Sequence, residues 1–167
     1  MQAIICDIDG CLFDTGWIFE ETEKLGLTGE EKWDFFHKHI NDEKSRTCEQ
    51  MKNFLTNVIS KDIGIIFMTA RSEIIRAETE RRIYKELSKR EYFYPVFMRQ
   101  LTSYESSDVI KEEMLKKVLY TYGIDVVLAI DDDPKNCAMF ESYGIPTLQW
   151  KILNNRTLEK KEEEIPA

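Results

Sequence analysis

Several stretches of the 167-residue chain place reactive side chains where a regular element begins or ends. Asp7 and Asp9 close a short apolar run, Ala3 to Cys6, and Gly10 follows them. Thr69-Ala70-Arg71 close another, Ile65-Ile66-Phe67-Met68, and Asp131-Asp132-Asp133 close a third, Val126 to Ile130. Such runs read as buried parallel strands. An open α/β sheet holds its ligands just beyond the carboxyl ends of its strands, so acids at these exits are placed to do chemistry. Two carboxylates about 4 Å apart repel by roughly 4 kcal/mol at an effective dielectric near 20. Several converging acids therefore call for a hard cation with oxygen ligands. Lys111 stands in the first turn of a helix, where the dipole disfavours a cation, which suggests that something else keeps it there.

The elements that must position these groups alternate. After the first strand come about fifty residues of helical character. Thr28 and Glu31 fit a capping box for a helix to about Ile40, with Trp33, Phe36 and Ile40 on one face. A second helix is expected over about 45–61, with Cys48, Met51, Leu55, Val58 and Ile59 as its buried stripe. His37 and His39 lack a cysteine partner nearby and read as surface or packing residues. A charged helix is expected over about 73–90, then a short strand at Pro95 to Arg99. Ser107 or Asp108 is the expected cap of the helix carrying Lys111, and Gly123 its stop. Asp133 with Pro134 opens a further helix, and Pro146 to Trp150 forms a last strand. The tail from Lys151 reads as a marginal helix or a frayed end. Alternating strands and helices predict a doubly wound, mostly parallel sheet of about five strands, with every exit along one edge.

Bulk properties narrow the class. The length suits one domain with a small helical insertion, and 43% hydrophobic with 32% charged residues is an ordinary globular composition. A net charge of −8 argues against an extensive nucleic-acid surface while leaving a nucleotide or a short strand end open. No run approaches the roughly 18 apolar residues of a membrane span. The first residues enter a strand at once, so no signal peptide is expected and a cytoplasmic location is. Cys6, Cys11, Cys48 and Cys137 show no C-x-x-C spacing and read as reduced structural thiols. No G-x-x-x-x-G-K-[ST] loop supports kinase activity.

Asp7-Ile8-Asp9-Gly10, Thr69, Lys111 and Ala129-Ile130-Asp131-Asp132, in this order, resemble the four motifs of the haloacid dehalogenase-like (HAD) phosphohydrolases. More narrowly, Thr69-Ala70-Arg71, the run Ser107 to Glu113, Leu128 to Asp132 and Trp150 are similar to the 3'-phosphatase domain of phage polynucleotide kinase. The likeness covers most of the chain except about residues 14–45. It implies a Rossmann-like phosphatase domain over 1–150, with a helical cap or flap at about 14–60 and a tail at 151–167. It further implies that Asp7 is the nucleophile forming an aspartyl-phosphate. Asp9 would protonate the leaving oxygen and then take a proton from water. Thr69, Ala70, Arg71 and Lys111 would bind substrate, with Lys111 also offsetting catalytic charge. Mg²⁺ would be held by Asp7, the Asp9 carbonyl and Asp131, with Asp132 as a ligand or just behind.

Each residue also has a plainer reading. Taken alone, Lys111 reads as an exposed helix lysine and Thr69 as a helix cap. Arg71 reads either as a substrate contact or as a partner for a glutamate of the next helix. Two departures from the phage pattern bear on substrate: Cys11 stands at a usual Thr or Ser position, and Ser107-Asp108 replaces an aspartate pair. In addition, no Lys or Arg occurs between Gly10 and Glu23. The expected substrate is a nucleotide or a 3'-phosphate end. A small-metabolite phosphatase or 5'-nucleotidase is the near alternative, and a catalytically idle binding module the distant one. The insertion, through Trp17, Phe19 or Trp33, is the expected source of selectivity.

Overall fold

Five apolar runs become strands: β1 (Gln2–Cys6), β2 (Gly64–Ser72), β3 (Val96–Arg99), β4 (Asp125–Asp131) and β5 (Thr147–Gln149). The computed structural model describes residues 1–59, 61–87 and 94–153. All strand pairings are parallel, in the order β3-β2-β1-β4-β5. The chain starts at the centre, winds outward through β2 and β3, then returns to fill the other side. That reversal beside β1 opens the crevice where such sheets bind ligands. Cys6 lies level with Phe67 on one side and Ile130 on the other, so Asp7, Met68 and Asp131 come next in step.

Strand alternation sorts β1 between two cores. Ile4 and Cys6 join Ile65 and Phe67 under α3 (Glu49–Ile59) and α4 (Arg76–Leu87), which contribute Met51, Leu55, Ile83 and Leu87. Ala3 and Ile5 join Ile66 and Met68 under α5 (Ser107–Lys116) and α6 (Pro134–Ser142), which contribute Met114, Leu115 and Phe140. The fold is thus the expected doubly wound α/β sheet. Between β1 and α3 lie two further helices, α1 (Gly16–Lys24) and α2 (Gly29–His39).

Several boundaries differ from expectation. β2 continues past Met68 through Ser72, because its far end pairs with β3 at Ser72 and Arg99. Ser72, not Thr69, caps the helical turn after β2, accepting the Ile74 N–H at 3.3 Å. The charged helix therefore opens as a 3-10 turn, Glu73–Ile75, and becomes α-helical only from Arg76; positions 88–90 lie outside the described residues. α3 starts at Glu49 rather than Ser45, since Ser45 Oγ accepts the Trp17 indole N–H at 2.9 Å and Thr47 bridges to Phe13. The cap residue of α5 is Ser106, one before the expected pair, and its end widens into a π-helical turn, Lys117–Thr121. The expected cap Asp133 holds, accepting the Lys135 N–H at 2.8 Å with Pro134 next. The tail helix considered beyond Lys151 falls mostly outside the described residues. All four cysteines are free and buried. Among the described residues, no helix is long and apolar enough to cross a membrane.

Candidate active site

The exits of β1 and β4 are tied together before any side chain is considered, because the Asp7 N–H donates to the Ile130 carbonyl at 2.9 Å. Into this gap α5 projects Lys111. Ile110, Met114 and Leu115 bury one face of that helix against the sheet, which carries Lys111 in with them at 1% exposure. Its Nζ lies 3.0 Å from Asp7 Oδ1 and 2.6 Å from Asp131 Oδ2. Burial opposes the ammonium charge, but Asp7 and Asp131 outweigh it and hold the lysine above its ordinary range. An exposed helix lysine it is not.

Asp131 is held through both oxygens: its Oδ1 also accepts the Asp133 N–H and the Asn136 side-chain N–H, both at 3.0 Å. Asp132 points differently. Gly10 sits at φ +79°, and a Cβ there would overlap the Asp132 carboxylate. This glycine is thus required twice, by its left-handed backbone and by the close approach. Burial pushes the Asp7 carboxyl well up from its usual range against the pull of Lys111, with Asp131 and Asp132 adding to the rise. Desolvation, then the Asp131 charge, pushes Asp132 up to about 6.

These shifts reflect crowding. Four carboxylates, Asp7, Asp9, Asp131 and Asp132, meet two paired cations, Lys111 and Arg71. The excess negative charge is what a divalent ion would neutralise. One oxygen each from Asp7 and Asp132 and the Cys11 sulfur lie within 4.8 Å of one another. Burial pushes the Cys11 thiol up, so it remains a neutral and soft group. The carboxylate oxygens of this group are hard donors of the kind a divalent cation takes.

Arg71 lines the cavity, and its acidic partner is Asp9 rather than a glutamate of the following helix. Its guanidinium is buried and grips Asp9 with both arms, Nε to Oδ2 at 2.9 Å and Nη2 to Oδ1 at 2.7 Å. The remaining arm, Nη1, donates to Asn41 at 3.2 Å and Thr79 at 3.1 Å. Asn41 follows α2 and Thr79 lies in α4, so the insertion and the second crossover both hold the arginine that holds Asp9. Thr69 is wholly buried, and its Oγ1 accepts the Arg71 N–H at 3.1 Å. Ala70 lines the same space, its carbonyl accepting from Arg99 at 3.1 Å.

A cavity of about 660 Å³ joins these groups to the insertion. Its lining includes Asp7, Asp9, Thr69, Ala70, Arg71, Lys111 and Asp132. Phe19, Trp33 and Phe36 also line it, as does Trp150. Trp17 is not among the lining residues; it packs within the insertion against Ser45, His39 and Lys44. Reasoning from sequence passed over Asn136, which is buried, lines the cavity and holds Asp131. Its position five residues after Asp131, in the first turn of a helix opened by Asp133-Pro134, was the available signal. It likewise passed over Asn41, whose contact with Arg71 spans 30 positions and leaves no local trace.

A family profile described as the polynucleotide kinase PNKP phosphatase domain matches residues 1–152, and the chain belongs to this family. Among solved structures, it is similar to a chain of the Pnkp1/Rnl/Hen1 RNA repair complex at 20% identity and a TM-score of 0.67, covering 91% of this chain and 43% of that one. It is similar to the class C acid phosphatase from Bacillus anthracis at 14% identity and a TM-score of 0.61, covering 99% and 80% respectively. A haloacid dehalogenase-like hydrolase from Streptococcus pneumoniae matches at 15% identity and a TM-score of 0.61, covering 96% and 90%. At these identities the likeness is one of fold, and this chain spans less than half of the repair-complex protein it matches. No curated protein matches the sequence.

Proposed function

We propose that this member of the polynucleotide kinase phosphatase-domain family is a Mg²⁺-dependent phosphomonoester hydrolase. It works through an aspartyl-phosphate on nucleotides or 3'-phosphate ends of nucleic acid. The observation that carries the reading is the buried Lys111 bridging Asp7 and Asp131 on the floor of a large open cavity. A lysine so placed keeps one Asp7 oxygen oriented while the other faces the entering phosphorus. It also sets a fixed positive charge where the equatorial oxygens gain charge, at no reorganisation cost.

In the first step an Asp7 oxygen bonds to phosphorus as the ester P–O bond breaks, and Asp9 gives its proton to the departing oxygen. In the second, Asp9 takes a proton from a water whose oxygen bonds to phosphorus. Inorganic phosphate leaves and the Asp7 carboxylate is restored. A bidentate arginine occupies one lone pair on each Asp9 oxygen and fixes the plane of the carboxyl. Arg71 is therefore a positioning residue for the acid, and the remaining lone pairs of Asp9 serve the substrate side. The Thr69 hydroxyl, accepting from Arg71, retains its own proton for a phosphoryl oxygen. Asp7, the Asp9 carbonyl and Asp131 would hold the ion, with Asp132 as a ligand or just behind, and Lys111 and Asn136 set Asp131 in place. When bound, Mg²⁺ supplies Lewis-acid neutralisation of the phosphoryl charge.

The test is release of inorganic phosphate with Mg²⁺ across nucleoside 3'- and 5'-phosphates, 3'-phosphorylated oligonucleotides and sugar phosphates. Acid-quenched enzyme should carry phosphate that hydroxylamine removes, and Asp7→Asn should carry none. Full turnover by Asp7→Asn would overturn the nucleophile assignment. Preference for sugar phosphates would overturn the substrate assignment.

A further inference from the structure

Two rings on the cavity wall behave unlike core residues. Phe19 on α1 is 39% exposed and Trp33 on α2 is 51% exposed, and both line the cavity above the acidic floor. Behind them Phe36 is buried, its ring centroid 5.4 Å from Phe19 and 5.7 Å from Trp33, the latter edge-on at 78°. The buried ring serves as a mount that holds two exposed aromatic groups in fixed positions. Lys32 lies over the Phe19 ring at 5.5 Å and steadies it further.

The leaving group can be inferred from what the wall offers. A cavity of about 660 Å³ is far larger than one phosphate requires and falls in the roughly 300–1,000 Å³ range of sites for ligands of nucleotide size. A polyhydroxylated leaving group needs polar partners where its hydroxyls point, and this part of the wall presents aromatic carbon instead. A flat heterocycle needs the opposite, since every base has a π-face that stacks on an aromatic ring whatever its sequence. Of the cations among the described lining residues, Arg71 and Lys111 are committed to carboxylates, and Lys151 is exposed. That arrangement suits one phosphate and one base better than a tracked polyanionic backbone.

We propose that Phe19 and Trp33 form a stacking subsite for the base of the nucleotide whose phosphate is removed, whether free or at the end of a strand. The inference rests on the phosphatase reading and deepens it. The experiment compares kcat/KM for adenosine 3'-monophosphate, a 3'-phosphorylated dinucleotide and glycerol phosphate, using the full chain with Mg²⁺. The ratio of nucleotide to glycerol phosphate should fall roughly tenfold in Trp33→Ala and in Phe19→Ala, mainly through KM, and Trp33→Phe should recover most of it. A fall for the mononucleotide and dinucleotide alike supports a base subsite common to both sources; a fall for the dinucleotide alone supports it for strand ends. An unchanged ratio in both alanine variants, or equal losses on all three substrates, overturns it. If the wild type hydrolyses none of them, the phosphatase reading fails and calorimetric binding of adenosine 3'-monophosphate decides the subsite separately. Affinity weakened by both alanine substitutions supports the stack; affinity equal to wild type refutes it.

Discussion

The floor of the cavity and its wall are built on opposite terms. On the floor Lys111, Thr69 and Asp131 are almost wholly buried; Lys111 and Asp131 each have a partner supplied by a different element, and Thr69 bonds within its own strand. On the wall Phe19 and Trp33 stand half open to solvent, both packed on Phe36, with Lys32 over Phe19. A substitution on the floor therefore strands a charge, whereas one on the wall removes a surface. The first should impair every phosphomonoester alike and the second should discriminate among them.

The sharpest way to break that contrast is at Lys111. Lys111→Ala leaves Asp7 and Asp131 facing each other without their shared cation. Activity on any substrate should fall at least about a thousandfold. The thermal unfolding midpoint should drop as well, since removing one partner of a buried pair costs about 3–5 kcal/mol. A wild-type rate on aryl phosphate would end the idea of a shared floor.

Arg71→Lys comes next, because a lysine cannot grip both Asp9 oxygens. Alkyl phosphates, whose leaving oxygen needs a proton, should lose roughly 10²–10⁴-fold in kcat, within the usual reach of general acid catalysis. p-Nitrophenyl phosphate, whose leaving group departs readily as an anion, should lose much less. Parallel losses across a series of leaving groups would show that Arg71 serves the fold and not the acid.

Asn136→Ala sharpens the comparison within the floor. Freed from one of its three partners, Asp131 should hold the site less firmly, and Mg²⁺ affinity measured by activity titration should weaken about 10–100-fold. Unchanged affinity would leave Asn136 as a packing residue.

The smallest effect concerns pH. Asp132 is pushed up to about 6 in the fold and returns to an ordinary carboxyl near 3.9 when unfolded. Its contribution to stability is therefore fully present below about 4 and is lost as pH rises through about 6. Metal-free protein should gain stability between pH 7.5 and 5, and Asp132→Asn should flatten the gain. Solvent screens the exposed face of this carboxylate, so the difference should be about 1 kcal/mol rather than the full value of the shift. Mg²⁺ should reduce the slope, because it binds the ionised form.

The legibility of the sequence followed the same division. Asp7, Asp9 and Asp131 could be placed because apolar runs announce strands and parallel strands share an exit edge. Lys111 was betrayed by standing against a helix dipole. The partner of Arg71 was not legible, since that carboxylate lies 62 positions away and is brought near only by the β1–β2 pairing. The end of β2 was missed for a related reason: pairing with β3, not local preference, carries it to Ser72. Trp17 and Trp33 looked equivalent as aromatic residues of one insertion. Only packing separates them, by turning the Trp17 indole to Ser45 and leaving Trp33 at the cavity.

Gly10 gives this division an evolutionary edge. With the loops after β1 and β4 touching at a position that has no room for even one methyl group, neither can drift without the other. Novelty has little purchase at such a hinge-pin. A lineage diversifying on this scaffold would have to acquire new substrates through α1 and α2, whose outer residues can be exchanged while the two loops stay locked.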